Sequence, residues 1–160
     1  MTALRIDVSD LLAHSSSRRQ VEIETTLPGL TGSAARVADD EPIALDLVLE
    51  RISDGIVVRG RVAARWRADC STCLATLEQP LALTVDELFE PDAVEGETYP
   101  IAGHEIDLEQ LVRDTVVLEL PLAPVCADTG APACEPTAEH RDAPEPDPRW
   151  AALSQLDLKK

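Results

Sequence analysis

Two alternating runs, Ile43 to Ser53 and Ile56 to Ala68, flank Asp54-Gly55, and this pattern restricts the chain more than any other. Side chains of a strand point alternately to its two faces, and Asp-Gly suits the positive φ angles of a tight hairpin turn. A two-residue loop would set Ser53 opposite Ile56 and pair Leu49 with Gly60, Leu47 with Val62, Leu45 with Ala64 and Ile43 with Trp66. That face is apolar throughout. The other would pair Glu50 with Arg59, Val48 with Arg61, Asp46 with Ala63 and Ala44 with Arg65, so one register serves both a core and a charge pair.

Weaker patterns extend the sheet. Leu4 to Val8 alternates as a short strand before a turn or brief helix at Ser9-Asp-Leu-Leu, Ser15 to Arg19 reads as a loop, and Val21 to Thr25 alternates again. Pro28-Gly29 and Gly32-Ser33 mark a turn or flexible connection. Leu74 to Val85 supplies a third sheet strand that Pro80 interrupts or bends. Asp107, with Gln110 three residues on, matches a helix start; Leu108, Leu111, Val112, Thr115 and Val116 form its apolar stripe and Pro121 its end.

Residues 127–146 are rich in Ala, Pro, Asp and Glu and are expected to be a mobile segment without regular structure. Asp147-Pro-Arg-Trp150 then matches a second helix start, with Trp150, Leu153 and Leu156 placed to anchor a short C-terminal helix. The expected architecture is a single α+β domain over residues 1–160. Its sheet is mainly antiparallel and able to curl towards a barrel, with one central helix after the sheet and a short one at the C-terminal end.

Composition narrows the chemistry. Trp66, Phe89, Tyr99 and Trp150 are the only aromatic residues, so the core must be aliphatic and a base-stacking surface for single-stranded RNA is disfavoured. The longest apolar stretches fall far short of the roughly 20 residues that span a bilayer, and the N-terminal sequence lacks an export signal. A cytoplasmic location is expected, with no membrane association. Reduced cysteines, free or metal-bound, follow from that compartment. Of the net charge of −16, nearly all lies in residues 68–160, which hold twenty acidic and five basic residues. Between Asp86 and Glu109 nine carboxylates stand with no Lys or Arg, a field that repels phosphate backbones and attracts a basic protein, unless it only solvates the surface.

Two constellations can carry a site. Cys70-Ser-Thr-Cys73 has the spacing at which a tight turn aims two sulfurs at one metal, and Cys126 and Cys134 can complete a thiolate zinc site, although seven intervening residues exceed the usual spacing. Thiols that bind nothing are the plain alternative. His104 and His140 are substitute ligands, and a redox role is disfavoured because the residues after Cys70 look extended. The second constellation is Arg59, Arg61, Arg65 and Arg67, which share one strand face as a stripe of about 27 Å able to follow phosphates. Cross-strand carboxylates such as Glu50 and Asp46 would neutralise it. No phosphate-cradling glycine loop or nucleophile motif is present, His14, His104 and His140 lie in loop-like sequence, and neither catalysis nor a small-molecule substrate is expected.

Several stretches occur in an order that resembles the YceD family, the large ribosomal RNA subunit accumulation proteins. They are Arg61-Val-Ala-Ala-Arg-Trp-Arg-Ala-Asp-Cys-Ser-Thr-Cys-Leu, Val85-Asp-Glu-Leu-Phe, Ile106-Asp-Leu-Glu-Gln-Leu-Val-Arg-Asp, Leu120-Pro-Leu-Ala-Pro-Val-Cys and Asp147-Pro-Arg-Trp-Ala-Ala-Leu. The resemblance implies a bacterial or plastid factor for normal accumulation of large-subunit ribosomal RNA, with no established enzymatic activity and genes often beside one for a large-subunit ribosomal protein. Such proteins commonly carry further cysteines four and eleven residues after the position of Cys126; Gly130 and Thr137 stand there in this chain, while Cys134 keeps a matching place. The expected role is a non-enzymatic accessory factor whose acidic second half binds a basic ribosomal protein or assembly factor. Direct ribosomal RNA binding through the arginine stripe and a zinc-stabilised structural module are the alternatives.

Overall fold

The computed structural model describes residues 4–136. In chain order it contains β1 (Arg5–Asp7), α1 (Ser9–Ala13), β2 (Arg18–Thr25), β3 (Ala35–Val37), β4 (Ile43–Arg51), β5 (Ile56–Asp69), β6 (Thr76–Glu90), β7 (Tyr99–Ala102), β8 (Glu105–Asp107), α2 (Leu108–Glu119) and a 3-10 turn at Cys126–Thr129. The strands form one sheet in the order β1-β8-β7-β6-β5-β4-β2, with β3 paired to the far end of β5, and the sheet curls into a half-barrel. Only β6 and β7 run parallel among the described strands. The strand-rich α+β expectation is met; the C-terminal helix expected from Asp147 lies outside the described residues.

The central hairpin forms, but two residues out of the expected register. Leu49 pairs with Val58, Leu47 with Gly60, Leu45 with Val62 and Ala44 with Ala63, while Arg51 pairs with Ile56 and leaves a four-residue loop, Ile52–Gly55. Two contacts fix this loop: the Ile52 amide and the Arg51 guanidinium both donate to the Gly55 carbonyl, at 3.0 and 2.8 Å. Gly55 is pressed under the end of β6, where a Cβ would lie 2.0 Å from the Phe89 carbonyl oxygen. Its glycine answers a long-range contact rather than a two-residue turn. The shift also sets Gly60 against the β4 backbone, where a Cβ would lie 2.0 Å from the Asp46 carbonyl oxygen. An even-numbered shift preserves the faces, so Leu45, Leu47 and Leu49 still point into the core with Ile56, Val58, Val62 and Trp66.

β6 extends beyond Val85 to Glu90 and runs through Pro80 without a break, paired with β5 from Thr76 to Phe89. Its other edge is paired only at Phe89 and Glu90, so Pro80 occupies an edge strand, where a missing amide is tolerated. β2 starts at Arg18 and takes in the end of the expected Ser15–Arg19 loop. Three short strands go beyond the sequence reading: β3, and β7 and β8 within what reads as an acidic connection.

Asp107 caps α2, its carboxylate accepting from the Glu109 amide at 2.9 Å. The helix buries Leu108, Leu111, Val112 and Val116; Thr115 is half-buried, and its hydroxyl bonds back to the Leu111 carbonyl at 2.7 Å. Arg113 ties the opposite flank to the Pro28 carbonyl at 3.0 Å. The segment expected to lack regular structure from Ala127 begins inside the 3-10 turn, which Gly130 ends in the left-handed conformation at φ 78°. No polar or charged residue is fully buried among the described residues, as an aliphatic core requires. Nor is any described helix long and apolar enough to cross a membrane.

Candidate metal centre and acidic trough

The four cysteines come together from two distant parts of the chain. Cys70 and Cys73 sit in the β5–β6 turn, which the Leu74 amide closes onto the Cys70 carbonyl at 2.9 Å with Leu74 at φ 62°. Cys126 opens the 3-10 turn, and Cys134 follows after Gly130 reverses the chain. Ser71 fastens the two segments, its amide and hydroxyl both donating to the Pro124 carbonyl at 2.8 and 3.0 Å. The Cys70–Cys134 and Cys73–Cys126 sulfurs are each 3.5 Å apart, and all four lie within 4.8 Å of one another.

These separations are too long for disulfides, whose sulfurs sit about 2.05 Å apart. They match a tetrathiolate: Zn–S bonds of about 2.3 Å in a tetrahedron put the sulfurs about 3.8 Å apart. Cys70 and Cys126 are buried and the other two half-buried. Amides of Cys73 and Thr72 directed at the Cys70 sulfur pull that thiol down to about 6. Hydrogen bonds to the neighbouring sulfurs push Cys126 up to about 12 and raise Cys134. The Cys70 sulfur is thus prepared to be anionic, while Cys126 and Cys134 favour the protonated thiol. The donor set fits a structural zinc ion, and four sulfurs complete a tetrahedron without ligands at Gly130 or Thr137. His104 is outside the cluster, in the turn between β7 and β8; His140 lies outside the described residues.

The arginine stripe lies on one face of β5, with Arg59, Arg61 and Arg65 exposed and Arg67 half-buried. Carboxylates are interleaved with it. Arg59 meets Asp86 at 2.9 Å and Glu50 at 3.7 Å, Arg65 meets Glu41 at 3.8 Å, and Arg67 meets Glu78 at 2.7 Å. Arg61 stands between Asp46 of β4 and Thr84 of β6 in the sheet register.

The acidic stretch is arranged differently. β6, the loop before β7, and one flank of α2 enclose a trough of about 780 Å³ whose walls include Glu87, Glu95, Glu97, Tyr99, Asp114 and Leu118, with no Lys or Arg among its lining residues. Tyr99 stacks on Phe89 at 5.1 Å and donates to Asp114 at 3.0 Å, while Gln110 donates to the other Asp114 oxygen at 2.8 Å. Burial, then the Asp114 contact, pushes the Tyr99 hydroxyl well above its ordinary value, so it remains a donor. Gln110, Asp114 and Leu118 recur every four residues and therefore share the helix flank that faces away from the core. Leu118 is 82% exposed. The carboxylate run is visible in the sequence; the Tyr99–Asp114 wall is not, because it depends on how α2 sits against β7.

Comparison with known proteins adds kinship. The model of the YceD family, described as large ribosomal RNA subunit accumulation protein YceD, matches residues 58–157. Uncharacterized proteins from Mycobacterium bovis and Mycobacterium tuberculosis are 37% identical over 128 residues, covering 70% of this chain and 60% of theirs. One from Mycobacterium leprae is 30% identical over 159 residues, covering 85% of this chain and 70% of its own. This chain thus spans less than two thirds of the first two relatives' length. No solved structure matches it. With the cysteine turn, α2 and the last matched residues all inside the family's span, the chain belongs to the YceD family of large ribosomal RNA subunit accumulation proteins.

Proposed function

We propose that this protein is a non-enzymatic, cytoplasmic accessory factor in large ribosomal subunit biogenesis that binds a basic ribosomal protein or assembly factor in its acidic trough. The observation that carries this reading is a concave surface with four carboxylates, no cation in its lining and an exposed leucine at its rim. Such a surface attracts a cationic chain over roughly a Debye length, about 8 Å at physiological salt, and offers an apolar contact once the two meet. It also repels RNA phosphates. Pull-down from a bacterial lysate at rising salt tests it: wild-type protein should retain a large-subunit protein or assembly factor at low ionic strength, and Glu87→Gln/Glu95→Gln/Glu97→Gln should not. Failure to recover any ribosomal component at low salt would reject the reading. Nuclease-sensitive recovery that Arg59→Glu/Arg61→Glu abolishes would transfer the role to direct ribosomal RNA binding by the arginine stripe.

A second reading concerns the cysteines, on the convergence of four sulfurs at tetrathiolate spacing. Zinc there would be held by Cys70, Cys73, Cys126 and Cys134 and would cross-link the β5–β6 turn to the chain that follows α2. Plasma mass spectrometry of untagged protein should find about one zinc per chain; less than about 0.2 would exclude a tight site.

A further inference from the structure

The four sulfurs also make two pairs that bridge distant parts of the chain. Cys70 meets Cys134 and Cys73 meets Cys126, each at 3.5 Å, across 64 and 53 residues of sequence. In each pair one sulfur is buried, Cys70 or Cys126, and the other is half-buried, Cys134 or Cys73. A small oxidant arriving from solvent therefore meets one sulfur with a second already in contact, the arrangement that turns a sulfenic acid into a disulfide. Closing from 3.5 Å to a bond of about 2.05 Å asks roughly 0.7 Å of each sulfur.

We propose that these pairs are a site of reversible oxidation by hydrogen peroxide. Disulfides Cys70–Cys134 and Cys73–Cys126 then replace a bound metal as the tie between the β5–β6 turn and the segment after α2. The half-buried sulfur of a pair attacks one peroxide oxygen; the O–O bond breaks, hydroxide leaves to be protonated to water, and a sulfenic acid remains. The buried sulfur attacks the sulfenic sulfur, the S–O bond breaks, and a second hydroxide leaves as water. Each pair so gives up two electrons and reduces one peroxide to two waters. The two protons come from the thiols or, where a metal holds them as thiolates, from solvent. Pairing across the segments is favoured over Cys70–Cys73 and Cys126–Cys134, because closing a long loop restricts the unfolded chain more than bridging neighbours does. Exchange within the Cys70–Cys73 turn is a different chemistry, and that turn leads into β6 rather than into a helix whose N-terminus would activate its first thiol. Release of zinc rests on the tetrathiolate reading given above; the disulfide pairing does not.

Peptide mapping tests the pairing directly. Reduced, full-length, untagged protein of measured zinc content is treated with a modest excess of hydrogen peroxide, alkylated and digested with trypsin. Cleavage after Arg67, Arg113 and Arg141 leaves Cys70 and Cys73 on one peptide and Cys126 and Cys134 on another. The two peptides should be joined, with fragmentation assigning Cys70 to Cys134 and Cys73 to Cys126. All four thiols should disappear and return with dithiothreitol, and any zinc should pass to a chromogenic chelator in step with their loss. Cys134→Ser should form only Cys73–Cys126 and keep the Cys70 thiol; the wild-type map decides even where that variant fails to fold. Unjoined peptides, the opposite cross-pairing, sulfinic or sulfonic acids, or thiols that survive peroxide would overturn the proposal. Joined peptides from protein with less than about 0.2 zinc per chain would reject the zinc reading and uphold this one.

Discussion

The outer face of β5 and the trough beside α2 are both charged, yet most of the charge on the first is paired and that of the second is not balanced by any cation in its lining. On β5, Arg59, Arg65 and Arg67 each meet a carboxylate on a neighbouring strand or loop within 2.7–3.8 Å. Around the trough, Glu87, Glu95, Glu97 and Asp114 face one another across a cavity with no cation in its lining, and Tyr99 and Gln110 anchor only Asp114. A run of like charge along a sequence therefore says little until the pairing of strands shows what lies opposite. On the central strand Arg59 meets carboxylates on both sides and Arg65 and Arg67 on one, whereas the carboxylates that line the trough share it with no Lys or Arg.

This contrast can be broken or sharpened by substitutions of decreasing effect. The largest acts on both regions together. Cys70→Ser or Cys126→Ser removes one of four thiolates where the β5–β6 turn meets the segment after α2, so zinc content should fall from about one per chain to near zero. With structural zinc contributing on the order of 10 kcal/mol of apparent folding energy, unfolding by denaturant should show a loss of several kcal/mol.

Gly60→Val comes next and separates the regions. Its Cβ would meet the Asp46 carbonyl oxygen at 2.0 Å, so the β4–β5 pairing that carries Asp46 opposite Arg61 must open. Denaturant unfolding should register a cost of about 3 kcal/mol or more. Hydrogen exchange should rise in β4 and β5 before the trough loop. Asp107→Ala acts on the side of α2: removing its cap and the exposed Arg5 ion pair at 3.2 Å together should cost about 1–2 kcal/mol in thermal or denaturant unfolding. The smallest effect belongs to Arg59→Ala, whose exposed pairs with Asp86 and Glu50 should contribute no more than about 1 kcal/mol and less in high salt. A loss well above that would mean that the arginine face is a structural network rather than a set of surface pairs.

The face of each central strand was legible because alternation is a local property: Leu45, Leu47 and Leu49 are buried in either register. The register itself was not. Asp54-Gly55 imitates a two-residue turn, while the actual constraint on Gly55 comes from Phe89, more than thirty residues away. β7 and β8 escaped notice because four- and three-residue strands in acidic sequence give alternation too few positions to show. The cysteines were legible as residues, and their long second spacing has a physical explanation: the 3-10 turn and the left-handed Gly130 fold the intervening chain back, so Cys134 reaches Cys70. The cross-strand neutralisation of the arginines was foreseeable in kind. Asp86, the nearer partner of Arg59, required β6 to be placed alongside β5.

The most direct measurement compares lysate pull-downs at low salt for wild type, Glu87→Gln/Glu95→Gln/Glu97→Gln and Arg59→Glu/Arg61→Glu, each verified as folded by its thermal transition. Trough neutralisation should reduce recovery of the basic ribosomal protein or assembly factor by about tenfold or more, and the arginine reversal should change it less than about twofold. Recovery that survives trough neutralisation but vanishes with the arginine reversal would place binding on β5 and remove the trough from the mechanism.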